Sequence, residues 1–147
     1  MAARYDYRWA TGASVALGSL TNVETSLFTY TTPTYVAPVS DPVDPFPVRT
    51  FLASGKERGD GFVNHEWLFA VLPYAALDYI IDTFLVTSGS VVVSKDITIY
   101  TPTKDRGATT YARYTGLICL PQPRVDYERG TKCITNLRLR FRKLVAL

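Results

Sequence analysis

Hydrolytic chemistry needs a serine, cysteine or threonine activated by a neighbouring base, and histidine is the usual base. This chain has a single histidine, His65, between Asn64 and Glu66 at the start of a strand-like run. With no second histidine and no cysteine nearby in sequence, it offers neither a triad nor a metal centre, and it reads as a polar residue at a strand end or subunit contact. Asp78 and Asp82 are the regularly spaced carboxylate pair. Four residues apart on the outer face of a helix they both stay ionised, so they read as a solvated face rather than an acid–base pair. Gly55, Gly59 and Gly61 lack the lysine and hydroxyl residue that complete a phosphate-binding loop, and a tight turn explains them. Arg58-Gly59-Asp60 matches an adhesion tripeptide, but three residues recur by chance. Cys119 and Cys133 are too few for a disulfide scaffold and lack metal-ligand spacing, so both read as ordinary buried thiols. The expectation is therefore no catalytic residue, no cofactor and no metal.

Charge is the stronger signal. The net charge is a modest +3, yet residues 101–147 hold ten basic side chains against three acidic, while residues 1–48 and 49–100 each sum to −2. Near the end of that basic third, Leu137, Leu139 and Phe141 alternate with Arg138, Arg140 and Arg142. Alternation of period two puts the apolar set on the core face of a strand and the three arginines in a ridge on the other face. Such a ridge can track phosphates or pair with carboxylates. No interleaved aromatic platform for bases accompanies it, so ion pairing within the chain or with a neighbouring subunit is the expectation, with no specific DNA binding.

The elements that must position these residues are mostly strands. Short β segments are expected at 3–10 and 23–31, then strands at 48–52, 62–71, 91–101, 109–120 and 131–144, with polar turns at 54–61, 102–107 and 121–130. One helix is expected over about 73–85. Pro73 suits its first turn, and Leu77, Ile80, Ile81 and Phe84 form an apolar stripe with Asp78 and Asp82 facing away. Residues 32–47 contain five prolines, which excludes a helix or central strand. This proline-rich arm also carries Tyr35, Val36, Val39, Val43 and Phe46, apolar groups that gain free energy only when covered, so it is expected to lie across another subunit, with packing on its own domain the alternative.

Composition sets the outer limits. At 147 residues, 47% apolar and 20% charged, the chain matches one folded domain. Ten Tyr, seven Phe and two Trp among many Val and Thr lean towards strands. No window is apolar enough for a membrane helix, and the N-terminus lacks the order of a signal peptide. The fold class expected is α+β, mainly β: an antiparallel sandwich or small barrel with one flanking helix and a long arm.

Arg58-Gly59-Asp60-Gly61-Phe62, then Trp67, then a helix ending Asp82-Thr83-Phe84 resembles the minor tail and tail-tube-related proteins of long-tailed bacteriophages. The stretches Tyr111–Pro123 and Ile134–Leu144 are similar to the closing strands of the same group. The likeness spans roughly residues 47–144 and leaves the first 46 residues and their arm unaccounted for. It implies a β-sandwich or barrel with one helix, self-assembled into stacked, hexameric rings around a channel that DNA traverses. It also implies contact with other tail proteins and no membrane, in a virion assembled in the cytoplasm of a bacterial host. Two other readings fit the same composition. A capsid decoration or cement protein would use the arm to grip a shell, and a glycan- or receptor-binding module would use the tyrosines.

Overall fold

The computed structural model describes residues 6–30, 38, 48–60, 63–102, 111–119, 126–128 and 132–147. It is mainly β, a curled antiparallel sheet in the form of a half-barrel with two short helices. In chain order the elements are β1 (Arg8–Thr11), β2 (Thr21–Asn22), α1 (Val23–Leu27), β3 (Val48–Phe51), β4 (Glu57–Asp60), β5 (Val63–Pro73) and α2 (Tyr74–Phe84). Then follow β6 (Leu85–Ser88), β7 (Val91–Ser94), β8 (Asp96–Pro102), β9 (Tyr111–Ile118), β10 (Asp126–Glu128) and β11 (Cys133–Ala146). The main sheet runs β10-β11-β9-β8-β1-β2, with β5 on β11. The expected meander of the last three long strands is present as β8–β9–β11. Two hairpins, β3–β4 and β6–β7, lie outside this sheet as separate two-stranded ribbons.

β11 organises the sheet. Leu137, Leu139, Phe141 and Leu144 are buried, while Arg138, Arg140, Arg142 and Lys143 are exposed. The register slips between Phe141 and Leu144 against β5 and between Arg142 and Val145 against β9, with Lys143 at a positive φ of 53°. This bulge places one extra residue on β11, so Arg142 and Lys143 both face outward before the apolar alternation resumes.

The core fills the concave side. Trp67 from β5 meets Tyr7 edge-on at 5.3 Å and Phe141 at 4.8 Å between ring centroids. Trp9 from β1 lies 4.7 Å from Phe84, and this contact anchors the end of α2. Ala76, Ile80 and Phe84 are buried, with Leu77 and Ile81 partly covered, so the apolar stripe packs on the sheet as its spacing predicts. Pro73 occupies the position before the first helical residue and has no side-chain cap. The Tyr74 N–H instead donates to the Lys132 carbonyl at 3.0 Å, tying the helix to the start of β11. At the other end the Lys95 ammonium donates to the Thr83 carbonyl at 3.0 Å, where a cation also complements the helix dipole.

Several expected boundaries are corrected. Residues 23–27 are helical where a strand was expected. Asn22 caps this helix, its side chain accepting from the Glu24 N–H at 2.9 Å, and Val23 and Leu27, one turn apart, are both buried. Capping and burial outweigh the β preference of Val, Thr and Phe here. Part of each expected turn at 54–61 and 121–130 is a short strand, β4 and β10, and the long strand over 91–101 divides at Lys95 into β7 and β8. Cys119 and Cys133 are half-buried rather than buried, and neither forms a disulfide.

Candidate functional site

The arginine ridge exists as read, on the convex side of the sheet. Antiparallel register puts Glu66 of β5 opposite Arg140, and Leu68 opposite Arg138. The Glu66 carboxylate pairs with both cations: Arg138 Nη1 bonds its Oε1, and Arg140 Nε lies 3.5 Å from its Oε2. Ion pairing within the chain therefore occupies two of the three arginines. Both pairs are about half exposed, where each contributes roughly 0–1 kcal/mol, so they orient the side chains more than they stabilise the fold. Arg142 and Lys143 make no ion pair among the described residues. Asp96 of β8 lies in the same cross-strand row as Arg142, with Leu117 of β9 between them.

The second feature is the β6–β7 ribbon. Its ten residues, Leu85–Ser94, include no charged side chain, and Val86, Val91, Val92 and Val93 are all exposed, Val91 at 58%. The turn Gly89-Ser90, with φ of +63° at the glycine, joins the strands in the two-residue form that suits a twisted hairpin. The β3–β4 ribbon likewise exposes Phe51, at 75%, and Leu52. No alternation marked either ribbon in the sequence; three consecutive valines read equally as a buried strand.

His65 is in β5 and buried, with Nε2 3.1 Å from the Thr101 hydroxyl, which also accepts from Trp67 Nε1 at 3.0 Å. A base beside a hydroxyl has the outline of an activated nucleophile, but Thr101 is fully buried and its oxygen already binds the Trp67 indole. The three side chains form a polar relay across the barrel interior that satisfies the indole N–H. The histidine is thus interior, where a strand-end or subunit contact was expected. Tyr100 and Tyr111 stack on each other at 5.3 Å with Arg8 over Tyr100, so each of these rings already has a stacking partner. Among the described residues no three metal-ligating side chains come together. No helix among them is long and apolar enough to cross a membrane.

Asp78 and Asp82 are exposed on α2, as their spacing predicts. Tyr35, Val36, Val39, Val43 and Phe46 lie outside the described residues; within that proline-rich stretch Pro38 is described, and it is buried within its own chain.

One half-buried acid stands apart. Glu24 Oε1 is buried with no hydrogen-bond partner among the described residues, and desolvation raises the Glu24 carboxyl above its ordinary value. The folded state then holds the proton more tightly than the unfolded chain, so stability falls as pH rises from the ordinary glutamate range through the raised folded value. Glu24→Gln is expected to melt above the wild type at neutral pH, with the difference shrinking as pH falls towards 4.5. A lower melting temperature at neutral pH, read by circular dichroism, would mean that the ionised carboxylate is well accommodated.

Comparison with protein-family models, with curated proteins and with solved structures gave no match.

Proposed function

We propose that this chain is a non-enzymatic structural protein that assembles with copies of itself, and that its setting is the virion of a tailed bacteriophage, as a ring-forming tail component. The observation that supports assembly is the uncharged β6–β7 ribbon with its four exposed valines. A lone two-stranded ribbon is marginal in water, and an apolar one with open edges is a template for pairing with another chain. Covering it by a neighbouring subunit stabilises both the ribbon and the assembly. The tail setting rests on the sequence resemblance of residues 58–84 and of the closing strands alone.

The test charges the ribbon without touching the core. Val91 and Val93 share one face of β7, with Val86 opposite Val93. Val91→Lys with Val93→Lys should leave melting nearly unchanged, since both side chains are exposed. Light scattering and electron microscopy should show rings or tubes for the wild type and monomers for the variant. Equal assembly of the two proteins would rule out the ribbon as a contact. A wild type that stays monomeric up to millimolar concentration would remove the proposal itself.

A further inference from the structure

Resting on that reading of self-assembly, we infer that the arginine ridge of one copy docks on the outer face of α2 of the next, in a head-to-tail contact. The two surfaces are complementary in charge. Along the β11 strip of the convex face Arg138, Arg140, Arg142 and Lys143 stand against Glu66 and Asp96, which leaves +2 for that strip. The outer face of α2 carries Asp78 and Asp82, the helix has no basic residue, and neither carboxylate is paired among the described residues. That face is −2.

Spacing fits as well as sign. Alternate residues on a strand are about 6.6 Å apart, and residues four apart on a helix rise about 6 Å. Two neighbouring arginines therefore meet two carboxylates in one row without bending either element. Glu66 and its two ion pairs hold Arg138 and Arg140 upright, which lowers the entropy lost when they dock.

Placement decides the kind of contact. The residues alternating with the arginines on β11 pack in the same core as Ala76, Ile80 and Phe84 of α2. The ridge and the acidic helix face thus look away from each other across the core, and one molecule cannot bring them together. Joining one copy's ridge to another's helix uses different surfaces on the two partners, an arrangement that propagates into a closed ring or a filament.

Reciprocal charge reversal in the full chain tests this. The ridge variant carries Arg138→Glu, Arg140→Glu and Arg142→Glu with Glu66→Lys, which mirrors the local pairs. The helix variant carries Asp78→Arg and Asp82→Arg. All these side chains lie outside the core, and circular dichroism with thermal melting checks that each variant folds. Sedimentation at low salt should show association weakened at least about tenfold in each one-sided variant. The variant with both reversals keeps the wild-type net charge and should assemble again. Wild-type-like assembly by the one-sided variants would overturn the inference while leaving self-assembly through other surfaces standing, as would failure of the double reversal to restore it. A wild type that never assembles would overturn both. Salt-dependent retention of a short duplex DNA by the wild type, lost in the ridge variant, together with unaltered assembly of the helix variant, would assign the ridge to phosphate and overturn the docking.

Discussion

Trp67→Ala is expected to cost about 3–5 kcal/mol, which would leave a domain of ordinary stability, on the order of 5–15 kcal/mol, close to its unfolding threshold. The indole is fully buried, touches Tyr7, Trp9 and Phe141, and donates across the interior to Thr101 of β8. Truncation opens a cavity between β1, β5 and β11 and leaves a polar pair, His65 and Thr101, facing it. Trp67→Phe keeps most of the ring contacts and removes the indole donor, so its cost should be nearer 1–2 kcal/mol. Urea midpoints of the three proteins would separate packing from hydrogen bonding. A loss under about 1 kcal/mol for the alanine variant would show that the half-barrel is not held together by this ring.

Gly116→Val should be the other severe change, for the opposite reason. Gly116 of β9 faces the β11 bulge so closely that a built Cβ would lie 2.7 Å from the Arg142 carbonyl oxygen and 2.7 Å from a Leu144 methyl. Backbone cannot yield as a side chain tip can, so even alanine forces the bulge to move. Overpacking of this kind costs about 1–3 kcal/mol, and valine should reach the upper end or beyond. Gly18→Ala is the control: its built Cβ meets nothing within 4 Å. Its midpoint should shift by no more than about 0.5 kcal/mol. Because the displaced bulge carries Arg142 and Lys143, Gly116→Ala should also weaken assembly more than it weakens the fold. Equal midpoints for Gly116→Ala and the wild type would show that the strands can separate at no cost.

How much was legible in the sequence depended on whether a residue's neighbours in space were also its neighbours in the chain. The alternation of Leu137 to Arg142 and the stripe Leu77 to Phe84 report local periods, and the structure places both as those periods require. Capping of the first helix by Asn22, with Val23 and Leu27 one turn apart, was equally local. The β-branched residues around it pointed the other way, and tertiary burial decided. Glu66 was invisible as the partner of Arg138 and Arg140 because that pairing depends on the register of β5 against β11. Thr101 as the acceptor for Trp67 was hidden likewise, since the two residues come from strands that do not pair. The valine ribbon was missed because Val91, Val92 and Val93 show no alternation from which a face could be read.

The position of β11 as the shared partner of β5, β9 and β10 has a consequence for how the chain is made. Leu72 pairs with Ile134, 62 residues later in the sequence, and β5 pairs with no other strand among the described residues. During vectorial synthesis at roughly 5–20 residues per second, β5 waits several seconds outside the ribosome before its partner emerges. Throughout that interval Trp67, Phe69 and Leu72 have no Leu137, Leu139 or Phe141 to pack against. Long-range β pairing also folds slowly once all its strands are present, in about milliseconds to seconds. Nascent chains crowded on one messenger are therefore most exposed to mispairing just before β11 appears, when β5 of one chain can be captured by a strand of its neighbour.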